Sequence, residues 1–154
     1  MKNLYLLIVS FAVVCLSLCK PVFAQTIGCA DFKKIEMNYS YAQKTYKELD
    51  DKLLGLQQYL IDKDKEYKAI ESPLSRKSFE QKVEKEYKAK EDALMKLKIQ
   101  KQEEIFNNIQ SASKIVSAQK KIDVVFDYRV ILSGGTDITQ DIIDYLNNNK
   151  TVKK

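Results

Sequence analysis

FKKIEMNYSYAQKTYKELDDKLLGLQQYLIDKDKEYKAI, residues 32–70, keeps one helical register from end to end. Steps of three and four lead from Phe32 through Ile35, Tyr39, Ala42, Tyr46, Leu49, Leu53, Leu56, Leu60, Lys63 and Tyr67 to Ile70, and only Lys63 is not apolar. Such a heptad seam requires a facing helix. It is also far longer than the usual helix of about 11–12 residues. A long arm holds, spaces or grips something, so the shape is the first statement about function.

The facing helix follows at once. Ser72 precedes Pro73 and is biased away from helical backbone, while Pro73 suits the first position of a new helix. A second helix is predicted from Leu74 to Gln119, on the order of 65 Å long. Its seam repeats every eleven residues, at Val83, Leu94, Ile105 and Val116. Tyr87, Leu97, Ile109 and Ala112 fill in beside it, and Lys90 and Lys101 fall near the same stripe. The tighter seam of Leu49, Leu53, Leu56 and Leu60 thus faces a wetter one. An αα-hairpin with its tip near residues 71–75 follows, with bending expected at Lys63, Lys90 and Lys101.

Outward from the hairpin, both ends of the chain read as extended. Thr26-Ile27-Gly28-Cys29-Ala30 is a short strand, and Asp31 is placed to cap the helix that follows it. Ile122 to Asp127 is rich in β-branched and aromatic residues and reads as a second strand. Tyr128-Arg129 would form a tight connection to a third at Val130-Ile131-Leu132, and Ser133-Gly134-Gly135 is a turn. Asp137 to Gln140 has capping-box spacing, opening a last helix with Ile138, Ile142 and Leu146 on one face. Ile27, Cys29, Ile122, Val124, Phe126, Val130, Leu132, Ile138 and Ile142 are the expected body core and oligomerisation residues. The fold class expected is α+β: a small β-sheet oligomerisation body (residues 25–31 and 122–147), a long antiparallel helical hairpin (32–121), and a short C-terminal helix before a polar tail (148–154). Three short strands and one short helix bury little by themselves and leave sheet edges open, so an oligomer is expected.

At the amino terminus, Lys2, the apolar run Leu4–Leu18 and Val22-Phe23-Ala24 have the layout of a secretory signal peptide cut between Ala24 and Gln25. An uncleaved anchor and a lipoprotein joined at Cys19 are the alternatives. The run is short for the first, and Leu18 is bulky for the second. Cleavage leaves Cys29 as the lone cysteine, a small buried hydrophobe or an intermolecular disulfide partner. Without Lys2 and Lys20, 24 of the 26 basic side chains face 21 acidic ones, a net charge of about +3 when every side chain ionises as it does in a free peptide at neutral pH.

The chain of 154 residues has no histidine. It lacks a phosphate-cradling glycine loop, His/Cys metal spacing and a nucleophile with a base, so neither enzyme chemistry nor a cofactor is expected. The positive excess lies on the second arm, where Arg76, Lys77, Lys82, Lys85 and Lys88 alternate with Glu80, Glu84 and Glu86. That face is either merely solvated or steers acidic clients or an anionic membrane surface. Nucleic acid is not expected, because the chain is read as exported and its basic face lacks base-stacking aromatics. Tyr41 and Tyr59 lie beside the first seam, and either pack on the neighbouring arm or line a client cavity.

Ile27-Gly28-Cys29-Ala30-Asp31-Phe32-Lys33-Lys34-Ile35, Tyr39, Ile122-Asp123-Val124-Val125-Phe126-Asp127, Val130-Ile131-Leu132 and Gly134-Gly135-Thr136-Asp137-Ile138-Thr139 together resemble the Skp/OmpH family of periplasmic chaperones. The resemblance implies a periplasmic homotrimer with three helical tentacles around a cavity. It implies an ATP-independent holdase that shields unfolded outer-membrane proteins. Cys29 stands where that family usually carries an aliphatic or aromatic residue. The alternative is an exported structural or adaptor coiled coil that binds one folded envelope partner.

Overall fold

The computed structural model describes residues 25–149, so the expected signal peptide through Ala24 and residues 150–154 lie outside the described residues. Strand β1 (Ile27–Ala30) leads into α1 (Phe32–Asn38), α2 (Ser40–Lys68) and α3 (Pro73–Gln119). Strand β2 (Val124–Asp127), a 3₁₀ turn (Tyr128–Val130), β3 (Thr136–Asp137) and α4 (Thr139–Asn148) complete an α+β chain. The sheet is wholly parallel in the order β2-β1-β3. Ile27 pairs with Val124, Cys29 with Phe126, and Gly28 with Thr136.

Local chemistry explains most boundaries. The Asp31 carboxylate accepts from Lys34 N at 2.9 Å and caps α1. Pro73 opens α3. Its end is a Schellman motif: Ile122 N donates to Ser117 O at 2.9 Å and Lys121 N to Ala118 O at 3.2 Å. Lys121 occupies the left-handed position, with φ of 55°. The chain then re-enters the sheet where Asp123 N bonds Thr26 O and Thr26 N bonds the Asp123 carboxylate. Gly28 must lack a side chain, because a Cβ there would lie 2.9 Å from Ile122 Cγ2.

The core sits at the root of the long helices, not within the sheet alone. Ile35, Tyr39 and Ala42 pack with Ile105, Ile109, Ala112 and Val116 of α3 and with Ile138, Ile142 and Leu146 from the carboxy-terminal segment. Short strands and a short helix would bury too little, so the long helices supply the missing apolar surface. Farther out, α2 and α3 meet in pairs whose numbers fall along one helix as they rise along the other: Tyr41 with Glu104, Tyr59 with Glu86, and Tyr67 with Phe79.

Four sequence expectations are corrected. The first helix does not run unbroken from Phe32: Tyr39 leaves helical backbone at φ −80° and ψ 112°. Val130-Ile131-Leu132 is not a strand. The Asp127 carboxylate accepts from Arg129 N and Nε at 2.9 Å each and winds the chain into the 3₁₀ turn, and the third strand is Thr136–Asp137 instead. Val130 (71% exposed) and Leu132 (104%) therefore leave the body core, as do Ile27 (45%) and Phe126 (44%), while Val124 is only half-buried. The Asp137–Gln140 capping box does not form: Asp137 accepts from Thr139 N at 2.8 Å, but Gln140 turns to Asp144. Cys29, Ile122, Ile138 and Ile142 are buried.

Candidate functional site

The surface of interest is the paired region of α2 and α3, and its seam alternates between polar clusters and open grooves. Nearest the root, the Tyr41 hydroxyl donates to Glu104 Oε1 at 2.7 Å and accepts from Lys101 Nζ at 3.0 Å, while Lys101 and Glu104 pair at 2.8 Å. The Glu104 carboxylate and the Tyr41 hydroxyl hold the Lys101 ammonium above its usual pKa. Lys101 and Tyr41 in turn hold Glu104 below the usual carboxylate range. Farther out, Tyr59 donates to Glu86 Oε2 at 2.7 Å, and Lys63 and Lys90 lie 5.7 and 5.3 Å from its ring centroid. The bond to Glu86, then burial, pushes the Tyr59 phenol up to about 12.

Tyr41 and Tyr59 thus have hydroxyls committed between the two helices. Lys63, Lys90 and Lys101, expected as loosening points, each sit against a tyrosine ring. Oppositely charged and aromatic neighbours are what a lysine selects when its stem packs in a seam.

At the tip, Arg76 Nε donates to Ile70 O at 2.7 Å and its guanidinium lies 5.4 Å from the Tyr67 ring. Arg76 therefore closes the turn, beside Leu74, which is 80% exposed. Lys77, Lys82, Lys85 and Lys88 are exposed, with Lys82 reaching Glu86 only at 4.0 Å. They form a solvated basic edge.

The apolar seam is uneven. Leu49, Leu56, Ile105 and Val116 are buried, Val83 and Leu94 are half-buried, and Leu53 (47%) and Leu60 (40%) are exposed. A groove of about 530 Å³ opens beside Gly55, lined by Leu56, Tyr59, Lys90 and Leu94. A second of about 630 Å³ is lined by Leu49, Leu53, Leu56, Leu94 and Met95. Leu56 and Leu94 line both, so at mid-arm the two helices are joined by a narrow apolar bridge.

Sequence reasoning passed over the outer apolar residues. Met95, Ile99 and Phe106 of α3 are exposed at 56, 58 and 50%. Spacings of four and seven place them along one side of that helix. The signal was present as a second apolar stripe beside the eleven-residue repeat. On α2, Leu54 (60%) and Ile61 (51%) are likewise uncovered.

Among the described residues no group of acids, cysteines or histidines is placed to hold a metal, and no helix is long and apolar enough to cross a membrane. No protein-family model matches the chain, and no curated protein matches it significantly.

Proposed function

We infer that this chain is an exported, ATP-independent holdase, whose arms surround unfolded outer-membrane proteins in the periplasm and keep them from aggregating. In this reading α1–α2 and α3 form an antiparallel hairpin, a tentacle rooted in a small sheet, and three copies join through their roots. The observation that carries it is the arm itself. Its surface presents Leu54, Ile61, Met95 and Ile99 to solvent, with Leu53 open at the seam, along helices held together by scattered polar clusters. Many small apolar contacts, each worth about 25 cal/mol per Å² buried, suit a client with no fixed shape. The basic edge at Lys77, Lys82, Lys85 and Lys88 adds long-range attraction that salt weakens. The Skp/OmpH resemblance of the two chain ends supports the compartment, the trimer and the client class.

The decisive assay is aggregation of a urea-denatured outer-membrane barrel diluted into buffer. The chain at one trimer per barrel is expected to suppress light scattering, and scattering as strong as in buffer alone would reject the holdase reading. One observation favours an adaptor instead: the Arg76-stapled tip, which presents Leu74 on an ordered turn. Breadth separates the two. A holdase binds several unfolded barrels, whereas an adaptor binds one native surface and loses it when Leu74 is replaced by Asp.

A further inference from the structure

Neither proline nor glycine accounts for the interruption at Tyr39. Helices break at proline, at glycine, or where another group inserts into the hydrogen-bond ladder. Neither proline nor glycine occurs between Phe32 and Lys52, and the apolar register passes through Tyr39 unshifted. Burial passes through it as well, from Ile35 to Tyr39 to Ala42.

A group from elsewhere in the chain does insert. Asn147 of α4 accepts from Ser40 N through Oδ1 and donates through Nδ2 to Asn38 O, both at 2.9 Å. Its amide therefore grips the last carbonyl of α1 and the first amide of α2 together. Gln43 Nε2 donates to Met37 O at 2.7 Å. In a continuous helix Ser40 N would bond Glu36 O, while Tyr41 N and Ala42 N would bond Met37 O and Asn38 O. Asn147 and Gln43 thus replace the partners that the break removes.

We propose that Asn147 is a latch: docking of α4 holds the chain in its broken form at Tyr39, and release of Asn147 lets residues 32–68 run as one helix. The direction in which the arm leaves the root is then set by the C-terminal helix, 107 residues away in sequence from Ser40. Two further ties span the break, the Gln43 bond and a hydrogen bond from the Tyr46 hydroxyl to Glu36. Both lie within residues 32–68 themselves, so neither makes the break depend on α4. Asn147 is a positioning residue, and the latch operates whatever the arms hold.

The test measures the distance between spin labels at Lys33→Cys and Lys47→Cys, both exposed, in the full chain with Cys15→Ala, Cys19→Ala and Cys29→Ala, diluted with label-free chain so that each oligomer holds one labelled copy. A continuous helix separates these α-carbons by about 21 Å, and a chain turned between them brings them closer. The parent is expected to show one short distance. Asn147→Ala is expected to add a second population at the long distance, while circular dichroism stays helical. Tyr46→Phe, which leaves Asn147 in place, is expected to keep the short distance alone. An unchanged distribution in Asn147→Ala overturns the latch, and so does a long population in Tyr46→Phe that matches it. If Asn147→Ala does not fold, Asn147→Asp decides: it keeps the acceptor for Ser40 and loses the donor to Asn38, and an unchanged distribution there also overturns the proposal.

Discussion

Lys121 carries the one non-glycine positive φ among the described residues, 55°, at the turn that ends α3 and starts the return into the sheet. The Schellman geometry demands a left-handed residue there, and glycine meets that demand without a Cβ penalty. Lys121 is exposed and its backbone bonds need no side chain. Lys121→Gly is therefore expected to stabilise the chain by about 0.5–1 kcal/mol, read as a rise in urea midpoint with unchanged slope. The reverse holds in the turn before β3, where Gly135 has φ of 90° and its absent side chain faces Ile27 O and the Cys29 sulfur. Tyr59 supplies a second residue-scale prediction. Its phenol is raised from 10.0 to about 12, chiefly because its proton is shared with the Glu86 carboxylate. A raised pKa in the folded chain means stabilisation that is complete below pH 10 and is lost as pH rises through about 12. Tyr59→Phe is expected to melt lower than the parent at neutral pH. That gap should close over this window as the tyrosinate forms beside Glu86. A gap that stays constant with pH would show that the hydroxyl contributes nothing to pairing of the helices.

At the scale of elements, the two helices of the arm are joined at mid-length by the apolar bridge at Leu56 and Leu94. Gly55 lies beside it inside a 29-residue helix, and a Cβ there would meet nothing within 4 Å. Glycine in a helix interior costs roughly 0.5–1 kcal/mol relative to alanine. Gly55→Ala is expected to recover that amount, measured by chemical denaturation, and to slow amide hydrogen exchange through residues 52–60 more than at the root. The long helices were legible because their signals are local: Pro73 opens α3, Asp31 caps α1, and the apolar periods select the faces that meet. β1 and β2 were legible from β-branched content next to the helix ends. The other elements depended on partners the sequence does not place. Val130-Ile131-Leu132 has the composition of a strand, but the Asp127–Arg129 bonds turn the chain first, and Thr136–Asp137 takes the free edge of β1. The break at Tyr39 is set by Asn147, which no periodicity of residues 32–70 can reveal. Tyr41 and Tyr59 were placed correctly beside the seam. Their hydroxyls reach Glu104 and Glu86, which lie 63 and 27 residues away and which the period of one helix does not reveal.

At the scale of the whole molecule, the body exposes apolar side chains next to a sheet edge. Ile27 and Phe126 are 45 and 44% exposed, and Tyr128, Val130 and Leu132 follow at 56, 71 and 104%, all near or beyond β2, which forms an open sheet edge. Fully burying one large apolar side chain is worth about 1.5–3 kcal/mol. Five such residues per subunit, each contributing part of that, reach the same order as the roughly 4–15 kcal/mol that association costs in lost freedom. Backbone pairing along the open edge of β2 would add to it, and would remove the liability of an unpaired strand. We propose that copies of the chain associate through this region, and three copies are what the Skp/OmpH resemblance implies. Light scattering coupled to size exclusion is expected to report a trimer at micromolar concentration. Leu132→Glu and Val130→Glu are expected to shift it to monomer with little change in helical content, since neither side chain is packed within its own subunit. A monomeric parent would remove the oligomer from the functional reading. A trimer that survives both substitutions would place the interface on the helices instead, where Met37, Phe106 and Ile115 are exposed apolar residues near the root.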